Sequence, residues 1–256
     1  AGGGYDQGLD IGEPLIQSGF RMIAMSRFGY LRTPLPKDAS AAVQADAHAW
    51  LLDALGIERA VIVGASAGAP SALQFAIRHP ERCRALILLV PVVYVPRPGG
   101  GLPVRMPSRL SFLFGAALRS DFLFWSLLRI SRTLAYQALL ATPVRDVEAA
   151  GPAGRNYMNM MADHILPVSA RRRGMFNDLK VIATLKPVDL GSIKVPTLTI
   201  SAADDLYGTG DAARYTADQI PGAQFVSYPT GGHMLVGDQE QAAAAISAFL
   251  NAADLH

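Results

Sequence analysis

The chain has 256 residues, 50% of them hydrophobic and 17% charged, a balance that supplies a large core and excludes an intrinsically disordered chain. Its 23 basic and 21 acidic residues leave a formal net charge of +2 without any long basic run, which argues against nucleic-acid binding. The single cysteine, Cys83, excludes an intramolecular disulfide and reads as a buried structural thiol, and no apolar run is long enough to predict a transmembrane helix.

In chain order, residues 20–26 (FRMIAMS) predict a strand. Residues 39–55 predict a helix with Val43, Ala47, Trp50, Leu51 and Ala54 on its apolar face, closed by Gly56. Residues 60–63 (AVIV) predict a short buried strand, and 67–79 a helix that Pro80 stops. The wholly apolar 85–90 (ALILLV) predicts a strand covered on both faces, as in a parallel sheet.

That rhythm breaks over 92–186. Pro96, Pro98, Gly99-Gly100-Gly101, Pro103 and Pro107 come first, then 111–130, a helical stretch dense in Phe112, Leu113, Phe114, Leu118, Phe122, Leu123, Phe124 and Trp125. A third stretch holds Tyr157, Met158, Met160 and Met161. A span this long between core strands is no loop and predicts an inserted helical subdomain. Arg171-Arg172-Arg173, the one basic cluster, reads as a solvated turn or helix face. Strands at 197–201 and 224–228 then flank a helix at 211–220, and 239–251 predicts a last helix. Alternating strands and helices give an α/β fold with a doubly wound, mostly parallel sheet. The expected division is a core of 1–91 and 187–256, with a helical cap or lid at 92–186.

Gly64-Ala65-Ser66-Ala67-Gly68 stands between a predicted strand and a predicted helix. The pentapeptide alone is a weak signal, but this setting makes Ser66 a candidate nucleophile on a strained turn that exposes its hydroxyl. The two glycines are expected to relieve crowding at the turn, and the helix start behind Ser66 offers free N–H groups to a developing oxyanion.

A nucleophilic serine needs a base, and the base needs a carboxylate. His233, in Gly231-Gly232-His233 after the last strand, is the candidate base. His79 ends the elbow helix, His48 lies inside an early helix, His164 is in the insertion and His256 ends the chain. Asp205, directly after strand 197–201, is the candidate acid, with Asp204 as runner-up. The order Ser66, Asp205, His233 is the one expected on an elbow-bearing sheet.

With these residues in place, the chain resembles the α/β-hydrolase superfamily, near its esterase, haloperoxidase-like and proline-iminopeptidase-like branches. Gly29-Tyr30 with Pro34, 52–58 (LDALGIE), His79-Pro80-Glu81-Arg82, 196–205 and 221–233 carry the resemblance. It implies Asp205 at the acid position. It also implies that Ala1-Gly2-Gly3-Gly4 is an oxyanion loop, so that the N–H of Ala1 or Gly2, together with that of Ala67, holds the oxyanion; a frayed terminus is the plainer alternative. The family's three strands before this loop have no counterpart here, and the chain begins without Met, so roughly 20–40 further residues are expected upstream. The activity implied is that of a serine hydrolase on a small-molecule carboxylic ester with a hydrophobic acyl or aryl group. It needs no metal or cofactor, and a cytoplasmic location is favoured. Perhydrolase or haloperoxidase-like, C–C and amide hydrolysis use the same triad. An aminopeptidase would want acids such as Asp146, Glu148 or Asp163 to bind an amine. A non-catalytic binding protein on the same fold is the alternative from another class.

Overall fold

The computed structural model describes residues 2–96 and 118–254. Four strands form one parallel sheet in the order β1 (Ala60–Ala65), β2 (Cys83–Leu89), β3 (Thr197–Ala202) and β4 (Gln224–Tyr228). Helices α2 (Ala41–Ala54) and α3 (Ala69–Arg78) flank β1 in the chain. Between β3 and β4 runs α9 (Thr209–Gln219), and α10 (Gln239–Ala252) follows β4.

Period-two alternation along β2 builds both faces of the core. Ala85, Ile87 and Leu89 pack with Leu198, Ile200 and the α10 residues Ala242, Ile246, Phe249 and Leu250. Leu86 and Leu88 point the other way, onto Ala45, Ala49 and Leu52 of α2 and Ala72, Leu73 and Ala76 of α3. A strand buried on both sides needs apolar residues at every position, which is why ALILLV carries no polar break. Cys83, at the start of β2, is fully buried, and burial pushes its thiol up to about 12.

Residues 20–26 form no strand. A strand is a pairing rather than a composition, and this stretch has no ladder partner among the described residues. It lies instead beneath α1 (Tyr5–Gln17), a helix the sequence reading missed. Gly8 and Gly12 let α1 approach closely: a Cβ at Gly12 would lie 2.2 Å from Met22 Cε, and one at Gly8 would lie 3.1 Å from Ala24 Cβ. Those glycines and Pro14 are the residues that hide the helix in the sequence.

The expected apolar face of α2 is also corrected. Its buried residues are Gln44, Ala45, Ala49 and Leu52, and Trp50 is 74% exposed. Small side chains let α2 approach the alanines of α3, where an indole would not fit.

Between β2 and β3 the described residues form α4 (Asp121–Ile130), α5 (Arg132–Ala138), α6 (Val144–Ala149), α7 (Gly151–Asp163) and α8 (Arg172–Ala183). They pack around a cluster that includes Phe124, Leu128, Met158, Met161 and Val168 and also takes in Tyr30 and Val236 from outside the span. Of the expected helix at 111–130, residues 118–120 form a turn and Asp121–Ile130 is helical; Phe112, Leu113, Phe114, the Gly99–Gly101 run, Pro98, Pro103 and Pro107 lie outside the described residues. Arg171 is not solvated as expected but 2% exposed, held by Asp6 at 2.5 and 3.0 Å and by the Leu166 carbonyl at 3.1 Å. This bond ties the start of α1 to the start of α8 and gives the charge the partner that burial demands.

Candidate active site

β1 runs directly into the turn that carries Ser66. Its φ of 50° lies in the left-handed region, costly for a residue with a Cβ, and a 3₁₀ turn over Ser66–Gly68 leads into α3. A Cβ at Gly64 would sit 2.6 Å from Ala72 Cβ and 3.0 Å from Ala69 Cα, so strand and helix close together only over glycine. A Cβ at Gly68 would meet nothing within 4 Å, so the crowding expected on both sides of Ser66 exists on the strand side alone.

His233 and Asp205 come to this turn from the loops after β4 and β3. His233 Nε2 lies 2.8 Å from Ser66 Oγ, and its Nδ1 lies 2.7 Å from Asp205 Oδ2. With Nδ1–H donating to the carboxylate, Nε2 is left as acceptor for the serine hydroxyl. His233 and Asp205 are both buried. Asp205 accepts the Tyr207 N–H at 2.8 Å and the Thr209 hydroxyl, which also touches Ser201 Oγ. The Tyr207 ring meets the His233 imidazole edge-on at 4.9 Å. Burial, reinforced by the charge of Asp205, pushes the Tyr207 phenol up to about 12.

Asp204 takes a different role. Its Oδ1 accepts the Gly232 N–H at 2.9 Å and its Oδ2 accepts Arg145 at 3.2 Å. Burial works against its charge, but hydrogen bonds from Asp146, Gly232 and Arg145 outweigh burial and hold its carboxyl below the usual range. Asp146 is pushed up, by burial first and then by its bond to Asp204.

The helical span between β2 and β3 grips both loops. The Ala141 carbonyl accepts the N–H of Leu206, beside Asp205, at 3.1 Å and that of His233 at 3.2 Å. Thr142 Oγ1 accepts the Met234 N–H at 3.2 Å. Gly232 has a φ of 59°, and a Cβ there would lie 2.7 Å from both Thr142 Cα and Pro143 Cδ.

The expected oxyanion donors fare unequally. Ala67 is buried immediately after Ser66, at a helix start where backbone N–H groups have no earlier turn to bond. Ala1 lies outside the described residues. The expectation for Gly2 is corrected: its N–H already donates to the Tyr30 hydroxyl at 3.1 Å.

The remaining candidates lie elsewhere. His79 bonds Asp46 at 2.8 Å, His48 faces Met25 Sδ and His164 bonds Asp10 at 2.5 Å, while His256 is outside the described residues. Asp163 pairs with Arg132, Glu148 is exposed, and Asp146 is buried next to Arg145. A cavity of about 670 Å³ lined by Pro36, Leu73, Phe176, Val181 and Tyr215 includes neither Ser66 nor His233. Thr209, Tyr207, Ala141 and Thr142 are residues the sequence reading missed. Thr209 and Tyr207, four and two positions after Asp205, could have been found as local partners of a buried carboxylate. Ala141 acts through its backbone and leaves no sequence signal.

A parallel sheet, a serine on a left-handed strand–helix turn, and an imidazole and carboxylate from the loops after the last two strands together define an α/β hydrolase. The family model described as alpha/beta hydrolase fold matches residues 2–239, and the chain belongs to that family. It is 32% identical over 207 residues to the "Putative carbamate hydrolase RutD" of Klebsiella pneumoniae (strain 342), covering 78% of this chain and 68% of that protein. It is 27% identical over 235 residues to a 2-hydroxy-6-oxononadienedioate/2-hydroxy-6-oxononatrienedioate hydrolase of Paraburkholderia xenovorans (strain LB400), covering 86% and 72%. Among solved structures, an alpha/beta hydrolase fold protein from Nakamurella multipartita matches with a TM-score of 0.75 at 26% identity, over 98% of this chain and 90% of that one. No described helix is long and apolar enough to cross a membrane.

Proposed function

We propose that this chain is a serine hydrolase in which Ser66 attacks an acyl carbonyl, His233 takes the serine proton and Asp205 holds the imidazole and stabilises its charged form. The observation that carries this reading is the continuous contact from Ser66 Oγ through His233 to a buried, fully bonded Asp205. The tetrahedral oxyanion rests on the Ala67 N–H, with Ala1 as the expected second donor. His233 then gives its proton to the leaving group, and water attacks the acyl-enzyme with His233 again as base.

The substrate class proposed is a small-molecule carboxylic ester, and the apolar helical span between β2 and β3 favours a hydrophobic acyl or aryl group. That span, taken as residues 92–186, is read as a cap because it grips both loops of the site from one side. A second reading, hydrolysis of a carbamate or of a C–C bond in an oxo-dienoate, is favoured by the names of the 32% and 27% identical relatives. The same three residues serve either.

A fluorophosphonate probe tests the common core of these readings: folded wild-type protein is expected to be labelled at Ser66, and unlabelled folded protein overturns them. A panel of p-nitrophenyl esters from acetate to palmitate, with a carbamate, an amide and a 2-hydroxy-6-oxo-dienoate alongside, separates the substrate classes. Faster turnover of the carbamate or the dienoate than of every ester would replace the ester reading.

A further inference from the structure

One carboxylate far from Ser66 in the chain connects the Ala67 backbone with Gly2 at the start of the glycine-rich loop. Asp178, on α8, accepts both terminal nitrogens of Arg27 at 2.5 and 2.7 Å and the Tyr30 hydroxyl at 2.5 Å. Arg27 Nη1 also donates to the Ala67 carbonyl at 3.2 Å. The Tyr30 hydroxyl in turn accepts the Gly2 N–H at 3.1 Å. The chain of bonds therefore runs from Ala67 through Arg27, Asp178 and Tyr30 to Gly2 without a break.

The site is built to bring these groups together. The Gly174 N–H donates to the Gly29 carbonyl at 3.0 Å, and a Cβ on Gly174 would lie 2.2 Å from the Tyr30 ring. A Cβ on Gly29 would lie 2.7 Å from the Gly174 nitrogen. This glycine-on-glycine contact seats α8 on the 27–30 turn, and Asp178, one helical turn after Gly174, faces Arg27 and Tyr30. Tyr30 and Asp178 are almost wholly buried, and Arg27 is 21% exposed at its side chain. Burial, helped by the nearby Asp178 charge, raises the Tyr30 phenol, so it remains a donor to Asp178 while it accepts from Gly2.

We propose that Asp178, Arg27 and Tyr30 are positioning residues for the oxyanion site, fixing Ala67 on one side and the Gly2 end of the glycine-rich loop on the other from a single carboxylate. This rests on the reading of Ser66 as the nucleophile of acyl transfer. The three residues do not touch the reacting atoms; they hold the backbone on both sides of the site, where the Ala67 N–H meets charge only when the tetrahedral adduct forms. Their loss therefore weakens binding of the transition state more than binding of the substrate.

The test uses Tyr30→Phe and Asp178→Asn in the full chain, with p-nitrophenyl butyrate as substrate and butaneboronic acid as a probe that forms a tetrahedral adduct on serine. Tyr30→Phe is expected to lower kcat by about 10- to 100-fold with KM within roughly twofold, and to weaken boronate inhibition in parallel with kcat/KM. Asp178→Asn is expected to lose more on the same pattern. Should Asp178→Asn fail to fold, the near-isosteric Tyr30→Phe carries the test alone. Unchanged kcat in folded Tyr30→Phe, or a loss that falls on KM while boronate inhibition stays intact, overturns the proposal and leaves the nucleophile reading standing. A folded wild-type protein that neither turns over the ester nor takes the fluorophosphonate label overturns the nucleophile reading, and this proposal with it.

Discussion

The turn that carries Ser66 and the loop that carries His233 are held by opposite means. Ser66 is placed locally: β1 ends, α3 begins, and Gly64 lets the two close within a few residues. His233 is placed from a distance: the Ala141 carbonyl, the Thr142 hydroxyl and Asp204 bond His233, Met234 and Gly232 from 92, 92 and 28 positions earlier in the chain. The shape of the Ser66 turn is set by its immediate neighbours in the chain, whereas the loops of the base and the acid take their backbone bonds from Ala141 and Thr142 of the helical span.

The largest expected effect removes the nucleophile itself. Ser66→Ala should lower kcat by on the order of 10⁴- to 10⁶-fold while leaving the melting temperature close to wild type, measured by ester turnover and thermal denaturation. Next comes Gly232→Ala, which demands a left-handed φ of an L-residue and drives a Cβ into Thr142 and Pro143. It should cost about 1–3 kcal/mol of stability and at least tenfold in kcat, while leaving the Ser66 turn itself unchanged. A crystal structure showing His233 still in contact with Ser66 would break the claim that this loop depends on the helical span.

The local side of the comparison is sharpened by a pair of variants. Gly64→Ala should be destabilised by about 1–3 kcal/mol, because its Cβ meets Ala72 and Ala69, whereas Gly68→Ala should fall within about 0.5 kcal/mol of wild type. Denaturant titration of both tests whether the motif's two glycines are equivalent, and equal costs would show that they are.

The smallest expected effect lies outside both loops. Burial, with the Arg27 charge as a lesser cause, holds His48 down to about 4. The unfolded chain takes up a proton there nearer the ordinary histidine value, so this residue's contribution is full above about pH 6.5, falls as pH drops toward 4, and changes little below that. His48→Leu should flatten the stability profile across that window, read from unfolding midpoints at successive pH values, without shifting the pH dependence of turnover.

Legibility in the sequence follows the same division. ALILLV, AVIV and the order Ser66, Asp205, His233 could be read because each depends on neighbours in the chain or on a strand end. The α1 helix could not, because Gly8, Gly12 and Pro14 serve its packing on Met22 and Ala24 and spoil its helical signature. Residues 20–26 have a strand's composition but no pairing partner among the described residues. Trp50 was legible as apolar and not as exposed, since nothing in a single helix tells that its partner presents alanines. Arg171 read as a solvated charge because its partner, Asp6, is brought to it only by the folded chain.

Cys83 gives the protein an internal reporter. As the chain's single thiol, sealed at the start of a central strand and held protonated, it is closed to a modifying reagent while β2 stays paired. Its labelling rate under native conditions then measures how often the sheet opens, and a cysteine introduced at an exposed site can be tagged without touching it.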